Sequence, residues 1–348
     1  MNPTTLTIII PSLALGTTLT FISSHWLLIW MGLEINTLAI IPMMTRQHHP
    51  RAVEATTKYF IIQATASAML LFASVTNAWT SGQWNLTELL NPTSATLTTT
   101  ALALKIGLAP LHFWLPEVLQ GLDLITGLIL STWQKLAPFA VFLQLHSILN
   151  PNLLMLLGVL STIIGGWGGL NQTQLRKILA YSSIANMGWM ITILHYAPHL
   201  TLLNLTLYII MTLTTFILFT MFNSTKINSI ASSSSKSPLL SIITLMTLMS
   251  LGGLPPLSGF MPKWLILQEM TKQDLIIPAT IMAIMALLSL FFYLRLCYAT
   301  TLTMSPKPLN MSSSWRTKTT YPNTLMTTSA SISTMLLPLT PTILTLMM

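Results

Sequence analysis

The stretch Lys105-Ile-Gly-Leu-Ala-Pro-Leu-His-Phe-Trp-Leu-Pro-Glu117 decides the fold. A lysine set in apolar sequence is followed by a helix that must break. Pro110 lacks an N–H and clashes with the carbonyl one turn back, and Pro116 repeats the fault. Gly107 loosens the same turn. Broken helices at membrane depth persist only where protein or a water-filled cavity satisfies the freed backbone groups. The stretch has a twin: residues 107–116 read GLAPLHFWLP and residues 253–262 read GLPPLSGFMP. Gly107, Pro110 and Pro116 match Gly253, Pro256 and Pro262, two leucines match as well, and Trp114 is matched by Phe260. Lys105 precedes the first copy and Lys263 follows the second. Paired Pro/Gly-interrupted segments point to an ion or substrate path in a membrane protein built from repeats.

The surroundings agree. The chain has 348 residues, 52% hydrophobic and only 6% charged, against about 25% charged in soluble domains. Such a chain cannot wet its surface and belongs in a bilayer. The net charge of +8 is scattered among apolar runs and forms no basic patch with interleaved aromatics, so nucleic acid is not a partner. One cysteine, Cys297, excludes a disulfide framework, a thiolate zinc site and an iron–sulfur cluster held by this chain alone. The histidines form no close pair within an apolar span, which argues against intramembrane haem. Met1-Asn-Pro-Thr-Thr carries no cationic region and does not read as a cleaved signal peptide.

A membrane helix needs roughly 20 mainly apolar residues. On that rule the sequence predicts an all-α polytopic protein of eleven spans, at about 3–22, 25–44, 56–78, 93–116, 123–146, 150–169, 175–195, 199–222, 239–269, 275–299 and 324–345. Spans four and nine hold the twin breaks. Only the connections 223–238 and 300–323 are long and polar. With eleven spans, Arg46, Arg51, Arg176, Lys177, Lys226, Lys236, Lys307, Arg316 and Lys318 fall on the N-terminal side, and Lys272 stands alone on the other. Loops rich in Lys and Arg stay inside, so the N-terminus is expected inside and the C-terminus outside.

Four ionisable residues remain within spans: Glu34, Lys105, Lys135 and Lys263. Glu34 and Lys135 lie about ten residues, or roughly 15 Å, from the nearer helix end, too far to snorkel. Such residues cost about 2.5–3.5 kcal/mol on insertion scales and face a bundle interior or an aqueous path. Each could be a structural tie, with Glu34 paired to Lys105. With three lysines and one glutamate, however, at least one lysine lacks an acidic partner among them. Lysine, unlike arginine, exchanges its proton readily when desolvated, and no arginine is used at these positions. His112, inside the first break, reads equally as a proton relay or as a donor to a freed carbonyl; Ser258 stands at its place in the second copy. The other histidines read as solvated loop or helix-end residues, and Trp26, Trp79 and Trp84 as an interfacial belt.

Trp30-Met-Gly-Leu-Glu-Ile-Asn36, the 105–117 stretch, Gln134-Lys-Leu-Ala-Pro138 and Leu254-Pro-Pro-Leu-Ser-Gly-Phe-Met-Pro-Lys-Trp264 together resemble the antiporter-like membrane subunits of respiratory complex I (NADH:ubiquinone oxidoreductase). The resemblance covers essentially the whole chain and is to the animal mitochondrial form, which has eleven spans. It implies a multi-pass protein of the mitochondrial inner membrane that moves protons while other subunits reduce quinone. Glu34 and Lys105 match the family's glutamate–lysine pair, Lys135 its central lysine and Lys263 the lysine beside the second broken helix. The implied partners are the other membrane-arm subunits and the lipid bilayer, cardiolipin included. NADH, FMN, iron–sulfur clusters and ubiquinone would belong to other subunits, leaving this chain without a cofactor.

Two unit charges about 8 Å apart interact by roughly 2 kcal/mol at an effective dielectric near 20. Shifting one charge would therefore load or empty the next site. Two other readings stay open: a structural subunit with an inert polar axis, and a self-standing cation/proton antiporter. Spans four and nine are five apart, so they should cross in opposite directions as an inverted repeat. The expected organisation is a five-helix repeat over 1–146, its inverted copy over 150–299, and a connection with a last helix over 300–348. The four charged residues are expected at one depth, with Lys105 and Lys263 serving opposite half-channels.

Overall fold

The computed structural model describes residues 3–46, 49–89, 91–231, 238–302 and 323–347. Among them the secondary structure is helical, with two isolated β-bridges, His25 to Asn85 and Gln174 to Lys226. The helices are α1 (Pro3–Ile22), α2 (Trp26–Met44), α3 (Pro50–Ser81), α4 (Pro92–Ile106), α5 (Trp114–Gly121), α6 (Leu124–Ser131), α7 (Trp133–Leu145), α8 (Pro151–Gly168), α9 (Leu175–Ile193), α10 (Pro198–Met221), α11 (Ile227–Ala231), α12 (Pro238–Gly252), α13 (Phe260–Lys272), α14 (Ile276–Thr301), α15 (Asn323–Met335) and α16 (Thr340–Met347). Among the described residues, seven segments are long and apolar enough to cross a membrane: Thr4–Ile22, Trp26–Met44, Pro50–Ser81, Leu124–Leu145, Pro151–Gly168, Pro198–Met221 and Ile276–Thr301. The serine run 232–235 and residues 303–322 of the long polar connections lie outside the described residues.

The predicted spans four and nine are each two helices, α4 with α5 and α12 with α13, parted at the twin motifs. Two further interruptions carry no glycine signal. Span five parts for one residue at Thr132. There the backbone N–H and the hydroxyl both bond the Leu128 carbonyl, at 3.0 and 2.7 Å. The last predicted span is likewise not one helix. It divides between α15 and α16 around Leu337–Leu339, where Pro338 has no N–H to give.

Helix starts draw on residues assigned to solvent in the sequence. His25 and His49 accept the Leu27 and Arg51 N–H groups through Nδ1, each at 3.2 Å, and so cap α2 and α3. Trp26 is buried, whereas Trp79 is exposed. The 32 residues of α3 span about 48 Å, longer than a bilayer core. Its first turns carry Lys58, held 2.7 Å from Glu54 and 2.8 Å from Glu117 of α5.

The chain divides into two compact units, residues 1–161 with 194–198, and 162–193 with 199–348. In the first, α1 packs on α2, α2 on α3 and α7, α3 on α4 and α5, and α4 on α7. In the second, α14 packs on α9, α11, α12 and α13, and α12 also packs on α15.

The α1–α2 contact depends on missing side chains. A Cβ at Gly32 would lie 2.7 Å from Thr20 Cγ2 and 2.9 Å from the Gly16 carbonyl oxygen. Backbone cannot retreat as a side-chain tip can. Gly32→Val is therefore expected to part the two helices and cost about 1–3 kcal/mol by overpacking. A lowered melting temperature of the purified protein checks this.

Candidate functional site

In the first break, α4 ends at Gly107, whose φ of 83° is left-handed, a conformation glycine adopts at little cost. The helix leaves carbonyls that would be unsatisfied in a bilayer, and each of the last three before Ile106 finds a different donor. Ala103 accepts the N–H groups of Gly107 and Leu108, both at 2.9 Å. Leu104 accepts Trp114 Nε1 at 3.1 Å. Lys105 accepts Gln63 Nε2 of α3 at 3.3 Å. Lys105 itself is buried in the last turn of α4, where the helix C-terminus is a favourable place for a cation. Among the described residues its Nζ has no hydrogen-bond partner.

The second break repeats the backbone and changes the chemistry. Gly253 has a φ of 82°, and Met249 accepts from Gly253 and Leu254 at 3.1 and 3.3 Å, as Ala103 does from Gly107 and Leu108. Here the lysine is the cap: Lys263 Nζ donates to the Gly252 carbonyl at 3.0 Å. Ser258, at the place of His112, donates its hydroxyl to the Ser333 carbonyl of α15. Gly259 closes against α12 so tightly that a Cβ would overlap the Ser250 carbonyl oxygen. The two lysines, one before its break and the other after, thus do different local work. His112 is buried beside Phe113, at 4.4 Å between ring centroids.

Within the first unit a cavity of about 20 Å³ is lined by Lys105 and Lys135 together, with Asn36, Thr37, Tyr59, Gln63 and Gln134 among its polar walls. That is room for water. Lys135 is buried in the first turn of α7, just after the interruption at Thr132. Glu34 of α2 does not line the cavity. Its charge acts on Lys105 and Tyr59, but no ion pair among the described residues includes it, and its Oε2 is buried with no hydrogen-bond partner among them. Glu34 and Lys105 are thus electrostatic neighbours rather than a bonded pair. Lys263 lies in the second unit. Asn36, Gln63, Gln134 and Tyr59 were not singled out from the sequence. The signal was available for the three amides, which sit in apolar spans with no surface to solvate them.

The chain matches the family described as NADH:quinone oxidoreductase/Mrp antiporter, TM, over residues 23–289. Residues 290–344 match the NADH dehydrogenase subunit 2 C-terminus. It is 81% identical over 347 residues to NADH-ubiquinone oxidoreductase chain 2 of Scyliorhinus canicula, covering 100% of both chains. Its structure resembles a chain of respiratory complex I from Thermus thermophilus with a TM-score of 0.84 at 27% identity, covering 95% of this chain and 77% of that one. A chain of the Mrp complex from Dietzia sp. DQ12-45-1b shares the fold, with a TM-score of 0.78 at 17% identity over 87% of this chain and 62% of that one.

The two breaks give a paired expectation. Gly107→Ala and Gly253→Ala each force a left-handed alanine, costing about 1–2 kcal/mol. At Gly253 the new Cβ would also lie 3.1 Å from Lys263 Nζ, whereas at Gly107 it meets Leu115 Cδ1 at 3.0 Å. Both should lower the melting temperature, Gly253→Ala by more, because it also disturbs the cap on Gly252.

Proposed function

Because the chain belongs to the NADH:quinone oxidoreductase/Mrp antiporter membrane family, we propose that it is a proton-translocating membrane-arm subunit of respiratory complex I. It assembles with other subunits of that membrane complex and moves protons across the mitochondrial inner membrane. NADH oxidation and ubiquinone reduction take place on other subunits, which hold the flavin and the iron–sulfur clusters. In this reading the chain is part of an H⁺-translocating oxidoreductase without doing redox chemistry itself.

The observation that carries the proposal is the shared cavity of Lys105 and Lys135. Two buried amines facing one water-sized space can exchange a proton, and neither needs a fixed counter-ion to do so. Glu34 supplies a negative charge that acts on Lys105 without a contact that would lock it. When that influence changes, the charge on Lys105 changes the cost of a charge on Lys135. Lys263 is the corresponding proton carrier of the second half, resting on the Gly252 carbonyl until the path there opens. The breaks at Pro110 and Pro256 give each half one polar opening, in an arrangement of two inverted five-helix repeats and eleven crossings. The excess of Lys and Arg in loops on one side supports an N-terminus in the matrix and a C-terminus in the intermembrane space. That same basic side suits anionic lipid such as cardiolipin.

Lys135→Met keeps an unbranched side chain one atom shorter and removes the amine. The assembled complex carrying it should lose proton pumping and coupled NADH oxidation by about tenfold or more, equivalent to 1.4 kcal/mol or more. Near-normal pumping by an assembled Lys135→Met complex in vesicles would remove Lys135 from the mechanism.

A further inference from the structure

We infer that Asn36 is a positioning residue of the proton path, its side-chain amide holding the water that lies between Lys105 and Lys135. The inference rests on the reading of these two lysines as proton carriers. Asn36 is 2% exposed, and neither its Oδ1 nor its Nδ2 has a hydrogen-bond partner among the described residues. A buried amide offers two donors and an acceptor, and such groups are costly to leave unmade.

The Asn36 side chain also packs on α1: a Cβ at Gly16 would stand 2.7 Å from its Oδ1 and 3.0 Å from its Cγ. On the α7 side, Gln134 Nε2 donates to the Asn36 carbonyl at 3.0 Å. That bond joins the backbone of α2 to the residue next to Lys135. Asn36 lines the cavity that Lys105 and Lys135 share, and the cavity is polar and of a size for water. Lys105 Nζ likewise has no hydrogen-bond partner among the described residues.

The transfer is balanced through one water. A protonated lysine gives an N–H proton to the water oxygen while that water gives a different proton to the lone pair of the neutral lysine. One N–H bond breaks, one forms, and the water is restored. An amide suits the anchoring role, because it holds water by donating and accepting yet does not titrate. A carboxylate there would compete for the proton.

The test uses the assembled complex in vesicles, with Asn36→Leu, Asn36→Ser and Lys135→Met measured side by side. Asn36→Leu fills the same space without polar atoms and should slow pumping about fivefold or more, with a larger slowing in D₂O than the unaltered complex shows. Asn36→Ser, which can still anchor water, should stay within about twofold. Normal pumping by Asn36→Leu beside an impaired Lys135→Met overturns the role of Asn36 and leaves the lysine reading intact. Equal impairment of Asn36→Leu and Asn36→Ser with no added D₂O effect marks a packing role and also overturns it. Normal pumping by Lys135→Met overturns the lysine reading and the inference with it. If Asn36→Leu does not assemble, Asn36→Ser against Asn36→Ala decides by the hydroxyl alone: Ser faster supports the inference, and equal rates overturn it.

Discussion

A bilayer offers no hydrogen bonds, and the rest of this structure depends on that constraint. A continuous helix meets it internally; a broken one must find outside donors for every carbonyl it frees. The first break meets it with two neutral donors, the Trp114 indole and the Gln63 amide. The second meets it with a lysine amine, that of Lys263. The backbone is nearly the same in both, down to glycines at φ 83° and 82°. The donors differ, and so does what remains for each lysine. Neutral caps release Lys105 to face the cavity, while Lys263 can leave its carbonyl only if something else takes its place.

This division gives the cavity its character. The helix ends that meet there are of opposite polarity: Lys105 lies at the C-terminal end of α4, and Lys135 at the start of α7 after the interruption at Thr132. A helix C-terminus favours cations and an N-terminus favours anions. Two chemically identical side chains therefore sit in dissimilar fields a short way apart. The uncharged walls, Asn36, Gln63 and Gln134, add hydrogen-bonding capacity without adding fixed charge. Glu34 stays off the cavity wall, where it influences Lys105 without neutralising it.

Much of this was legible in the sequence because proline, glycine and charge carry unambiguous costs in lipid. Pro11, Pro42 and Pro138 lie inside intact helices, so the breaks at Pro110 and Pro256 were legible from proline and glycine together, and Lys105 and Lys135 could not face acyl chains. The illegible parts depend on partners far away in the chain. Nothing near Thr132 announces a break. The different tasks of Lys105 and Lys263 follow from Gln63, some forty residues upstream of Lys105, and from Trp114, neither of which a local motif reveals. His25 and His49 were read as solvated because a histidine cap looks like any loop histidine until the next helix is placed. The burial of Trp26 was not legible either: Trp84 and Leu86 bond their backbone to the start of α2 from some sixty residues downstream.

The bond from Ser258 to the Ser333 carbonyl concerns time as much as space. Ser333 is made seventy-five residues after Ser258, so during synthesis the second broken helix enters the membrane before its partner exists. The last part of the chain is thus the closing clasp of a segment inserted much earlier. A ribosome that stalls before residue 323 leaves not a shortened protein but an unfinished break.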